Sequence, residues 1–206
     1  MCLLKKPFLA TLFLLSILWL DSGVLAQFSY TYTNGTRAFA PISTGTKTQL
    51  FTNQRENISS TIAIGFTFNY GCGSYTTFQV CSSGWIGLGG GQTAEKDNDL
   101  TNDNERPKIA PLWDDIQGSN QGSVSYLLTG TAPNRILTVE WLNMRWDRKA
   151  GGNNDEVISF QALLYEADGK IEFSYRQDPE DVDKGSASIG LAGAAVSEFY
   201  SVSDDG

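Results

Sequence analysis

The chain has 206 residues, with 15 Lys and Arg against 23 Asp and Glu, a net charge of −8 and no histidine. The acidity argues against nucleic acid and anionic membrane as partners. The missing histidine removes the commonest neutral-pH general base, the triads that use it and most zinc sites.

Residues 1–26 read as a secretory signal peptide. Lys5 and Lys6 start it, an apolar run follows from Pro7 to Leu20, and Val24-Leu25-Ala26 offers a small-residue cleavage pattern. The run is short of the roughly 20 residues of a membrane span. The expectation is Sec export, cleavage before Gln27 and no membrane span afterwards. What remains, 27–206, has the size of one domain. Cys2 leaves with the signal.

Phe28, Tyr30 and Tyr32 alternate up to Asn34-Gly35, a tight-turn pair, so a first hairpin is expected with 36–42 as its return strand. Residues 43–57 read as a polar loop. Ile62, Ile64, Phe66 and Phe68 then fall on every second residue. A glycine-rich turn at 71–74 leads into Thr76, Phe78 and Val80. Period two means strand with one buried face, so 61–81 is a hairpin.

A short strand is expected at Trp85–Leu88. Residues 91–108 form a long polar stretch, and loops of that length tend to be functional or mobile. In the segment 109–116, Pro111 suggests a sheet edge or a strand start. Val124, Tyr126 and Leu128 alternate. Leu137, Val139 and Trp141 point one way, with Thr138, Glu140 and Leu142 opposite. Strands follow at 157–166 and, after Asp168-Gly169, at 170–176. Segments 186–192 and 198–203 complete the series. About ten short strands without a helical period read as an all-β, antiparallel two-sheet β-sandwich, jelly-roll-like.

Cys72 and Cys81 are an even count for an oxidising compartment. If 75–81 is one straight strand, Cys81 lies roughly 20 Å from the turn holding Cys72 at about 3.3 Å per residue, whereas a bridge needs Cα atoms within about 7 Å. Three arrangements stay open: a bridge allowed by a bulge or reversal near Gly73, two separate thiols, or pairing between chains.

Pro41-Ile42, Ile64-Gly65-Phe66-Thr67-Phe68, Ser82-Ser83-Gly84-Trp85, Thr138-Val139-Glu140-Trp141 and Ala187-Ser188-Ile189-Gly190-Leu191 follow one another along the chain. Their order resembles a module of secreted, type IX-exported surface proteins of the Bacteroidetes. The segment Ala110-Pro111-Leu112-Trp113-Asp114-Asp115 is also similar to the nidogen-like extracellular domain. The resemblance implies an adhesive or matrix-facing role. Such modules usually precede further domains, so ending at Gly206 suggests a truncated piece.

Few residues suggest chemistry. Glu140 and Glu172 could form a glycosidase pair, but alternation sets both opposite the core face, where solvent is expected. Asp97, Asp99, Thr101, Asp103 and Glu105 place oxygen ligands at alternate positions, and with Asp114 or Asp115 they could hold calcium irregularly. Lys108 stands where an EF-hand has its closing glutamate. Trp146 is five residues from Trp141 and so faces the other way; with Trp113 it is a candidate for stacking on a sugar or a partner. Asn34-Gly-Thr36 and Asn57-Ile-Ser59 are sequons, relevant only in a glycosylating host. The expectation is an exported, non-enzymatic module for adhesion or extracellular recognition, secreted or at the cell surface, with an extracellular protein or glycan as partner. The alternatives are a carbohydrate-binding module assisted by calcium and a carboxylate-dependent glycoside hydrolase.

Overall fold

The computed structural model describes residues 28–43, 46–101, 104–146, 157–177 and 186–203. They form eleven strands: β1 Thr48–Thr52, β2 Ile62–Tyr70, β3 Gly73–Cys81, β4 Trp85–Leu88, β5 Lys108–Trp113, β6 Ile116–Thr129, β7 Ile136–Trp146, β8 Val157–Tyr165, β9 Ile171–Gln177, β10 Ser188–Ala192 and β11 Phe199–Ser203. One sheet has the order β1-β6-β7-β8-β9, the other β11-β10-β5-β4-β3-β2. Every pairing within them is antiparallel. The fold is the expected two-sheet sandwich.

Period two sets the core. Ile64, Phe66, Phe68 and Tyr70 of β2 turn inward while the residues between them stay outside it. They meet Leu137, Val139 and Trp141 of β7 and Phe160, Ala162 and Leu164 of β8. Trp141 and Phe160 are cross-strand partners whose rings stack at 5.0 Å. The buried Trp141 indole N–H donates to the Cys81 carbonyl at 2.9 Å, so its polar end is satisfied across the sandwich. Ile171 and Phe173, on the strand at the sheet's edge, are half-buried and close the core's rim.

Three local expectations are corrected. Residues 28–43 form no strand and no hairpin; they run as an irregular strap. The aromatic alternation there has no ladder behind it: Phe28 and Tyr30 pack on Tyr70 at 5.5 and 5.7 Å. The polar stretch read as a loop contains β1, which takes its hydrogen bonds from β6. Pro111 lies within β5, between β4 and β10, and not at an edge. The sheet tolerates the missing N–H because the β10 register shifts between Ser188 and Gly190, and the β4 ladder reaches only to Ile109. The Pro111 carbonyl accepts from the Tyr175 hydroxyl at 2.6 Å.

The tight turn between β3 and β4 depends on Gly84. Its φ is 91°, and a Cβ there would lie 1.8 Å from the Leu112 carbonyl oxygen. Gly84→Ala should cost at least about 3 kcal/mol, combining backbone strain with overpacking. Gly91 has the same φ of 91° but nothing within 4 Å of a built Cβ. Gly91→Ala therefore isolates the backbone part, and urea melts of the two variants should separate clearly.

Candidate functional site

The outer face of β7, β8 and β9 is covered. The strap crosses it and is fastened by side chains that the sequence places opposite the core. Glu140 is fully buried. Its Oε2 accepts from the Ile42 backbone N–H and from Gln161 Nε2, both at 2.8 Å, and Lys47 Nζ lies 3.5 Å from Oε1. Gln161 also donates to the Ala40 carbonyl at 2.9 Å. Alternation gave the right face for Glu140, but that face is dry because the strap lies on it. Glu172, expected in water, is bound by Arg37 from the strap, by Lys170 Nζ at 3.0 Å and by the Tyr165 hydroxyl at 3.0 Å. Burial alone would raise its pKa. The hydrogen bonds from Lys170, Arg37 and Tyr165 outweigh that and hold it below the ordinary value.

The six-stranded sheet is covered in the same way by the segment between β4 and β5. Trp113 is fully buried there, with Trp85, Leu100, Cys81 and Ala110. The Lys108 ammonium sits 3.5 Å from the centre of the Trp113 ring and 4.1 Å from that of Trp85, and 3.8 Å from Glu95 Oε2. Both indole N–H groups donate to the Glu95 carbonyl, at 3.0 and 3.4 Å. Trp113 thus has no face left for a ligand, which corrects its assignment as a stacking residue. Trp146 ends β7, paired with Ile116; its side chain lies outside the described residues.

The acidic positions are dispersed. Asp97 is exposed. Asp99 closes a local turn by accepting from the Thr101 N–H at 2.8 Å and its hydroxyl at 2.6 Å. Asp103 lies outside the described residues. Asp114 is buried and accepts from the Asp115 N–H at 2.7 Å and from Ser186 at 3.2 Å. Asp115 pairs with Arg55 at 2.9 Å and, at 3.8 Å, with Lys96. Among the described residues no three acids, cysteines or histidines gather as a metal would need. Cys72 and Cys81 are not bridged. Cys72 is exposed in the β2–β3 turn and Cys81 is buried at the far end of β3. A straight strand separates them by roughly 25 Å at about 3.3 Å per residue.

A cleft of about 380 Å³ opens where the strap meets two turns. It is lined by Ser29 and Tyr30 of the strap, Asn69 at the end of β2 and Gly71 of the β2–β3 turn, and Glu166, Ala167, Asp168 and Gly169 of the β8–β9 turn. The Tyr30 hydroxyl accepts from the Gly71 N–H at 3.1 Å, and burial pushes its pKa up. Glu166 is clamped by Arg135, whose Nε donates at 2.7 Å, and that hydrogen bond lowers its pKa. Asn69 Oδ1 accepts from Ser74 at 2.7 Å, and Asp168 Oδ1 accepts from the Lys170 N–H at 3.0 Å. Both residues are exposed, and those bonds use neither the Asn69 amide N–H groups nor the second Asp168 oxygen. The sequence marks these residues only as turn punctuation. The one signal pointing further is the aromatic run that starts with Phe28 and Tyr30.

Two predictions concern the strap. Glu140→Ala orphans the Ile42 N–H and strands Lys47, and should cost about 3–5 kcal/mol in denaturant melts. Adding Lys47→Met should recover part of that loss. The pKa of Glu172 is depressed in the folded state, so its contribution is complete above the unfolded value of about 4.3 and is lost as pH falls through the folded value. Arg37→Met should therefore raise the Glu172 titration midpoint seen by side-chain NMR, and strap release should begin at a higher pH.

No curated protein matches the chain, and no solved structure does. A family model described as NIDO related matches residues 29–206, so the chain belongs to the NIDO-related family.

Proposed function

We propose that this protein is an exported, non-enzymatic module for adhesion or extracellular recognition. The observation that carries the reading is the fate of its two best candidate acids. Glu140 is tied to the Ile42 N–H, Gln161 and Lys47, and Glu172 to Lys170, Arg37 and Tyr165. Both are engaged in holding the strap. A carboxylate pair for glycoside hydrolysis needs one acid with a raised pKa and one open to the reacting centre. Membership of the NIDO-related family supports an extracellular setting. The signal-like leader supports export, and the resemblance to Bacteroidetes surface modules supports a place at the cell surface.

The second reading is carbohydrate binding. It is favoured by the polar cleft with its tyrosine wall. Small, well-placed polar groups on a rigid scaffold are what orient a ligand.

The test uses the secreted protein against immobilised extracellular-matrix proteins, a glycan array and a panel of polysaccharides assayed for hydrolysis. Saturable binding without turnover is the expected outcome. Turnover that disappears in Glu172→Gln, with the fold intact by circular dichroism, would replace this reading with an enzyme.

A further inference from the structure

We infer that the cleft between the strap and the β2–β3 and β8–β9 turns is a binding site for one neutral hexopyranose residue of a glycan. The inference rests on the recognition reading above and names the ligand class of that module's cleft. Its volume of about 380 Å³ lies near the lower end of small-molecule sites, about 300–1,000 Å³, which suits a single sugar ring.

The chemistry of the lining is that of a diol site. Each sugar hydroxyl both donates and accepts. Asn69 offers amide N–H donors once Ser74 has taken its Oδ1. Asp168 offers a carboxylate oxygen once the Lys170 N–H has taken the other. Ser29 adds a residue on the strap side, and Tyr30 supplies an aromatic wall. Aromatic surface beside a few fixed polar groups matches a pyranose ring, which is apolar on its C–H face and polar around its edge.

Charge selects among sugars. Glu166 and Asp168 line the cleft, and no Lys or Arg does. Glu166 is already paired with Arg135, so an anionic sugar such as a uronate would meet the Asp168 carboxylate with no cation among the lining residues to receive it. The site is also set before a ligand arrives. A Cβ at Gly71 would lie 2.7 Å from the Phe28 ring, and one at Gly169 3.2 Å from the Asn69 carbonyl oxygen. Both glycines also have positive φ, 56° and 70°, so both turns favour glycine, and turns fixed in this way lower the entropy lost on binding.

The experiment is a heteronuclear NMR titration with methyl glycosides of glucose, galactose, mannose and N-acetylglucosamine, and with methyl glucuronide. At least one neutral glycoside should bind saturably in the millimolar range, shifting the Gly71 and Gly169 amides. Asn69→Ala and Asp168→Ala should each weaken it about tenfold, and methyl glucuronide should bind at least about tenfold more weakly. Asp168→Asn keeps the acceptor for the Lys170 amide, so the turn persists, and it should narrow the gap between glucoside and glucuronide. Sugar binding with shifts elsewhere, or indifferent to these variants, would overturn the cleft and leave the recognition module standing. So would binding of immobilised extracellular proteins with no sugar binding at all. Absence of both kinds of binding would bring down the cleft and the module together.

Discussion

A charge buried on the outer face of a sheet must be given a partner and a cover, and both sheets of this sandwich carry one. β5 presents the Lys108 ammonium and β7 the Glu140 carboxylate, and both side chains are fully buried. Leaving either without a partner would cost several kcal/mol. The cover for Lys108 is the segment after β4, which brings Glu95 to the two indoles. A desolvated cation over an aromatic face gains about 2 kcal/mol. The cover for Glu140 is the strap, which brings the Ile42 N–H, and Lys47 just before β1 adds its ammonium. The two long segments without strands are therefore folded by the charges beneath them as much as by their own sequences.

This is also where reading the sequence succeeds and fails. Alternation found the hairpin of β2 and β3, the β7 core face and the short β4 because each strand has one face against the other sheet. Period two says which side a residue lies on. It does not say what lies on that side. Glu140 is expected in solvent for that reason, and the strap excludes it; Trp113, a stacking candidate, is covered by the segment after β4. β1, Thr-Gln-Leu-Phe-Thr, is too polar to announce itself and becomes a strand through its pairing with β6. The first hairpin failed in the opposite way: aromatic residues at alternate positions found a tyrosine to pack on and no strand to pair with.

The cleft joins pieces that are far apart in the chain. Asn69 and Gly71 come from a hairpin of one sheet, Glu166 to Gly169 from a hairpin of the other, and Ser29 and Tyr30 from the strap. No local motif could reveal it, because no two of its three walls are neighbours in sequence. The first residues of the strap form one of its walls, where Tyr30 reaches the Gly71 amide and packs on Tyr70, while Glu140 holds the strap's other end at Ile42.

The strap also decides how the protein would respond to tension. A pull on the N-terminal end of the strap would not act first on the sheets. It would act on the strap's contacts one after another: the ring packing of Phe28 and Tyr30, then Arg37 with Glu172, then Ala40 and Ile42 with Gln161 and Glu140. Each contact lies further along the strap than the last, so they open in sequence, as in peeling. Only afterwards does the force reach β1 and its ladder to β6. Peeling yields at low force and lengthens the chain by the strap before any strand is lost. The sandwich itself stays whole through that first stage.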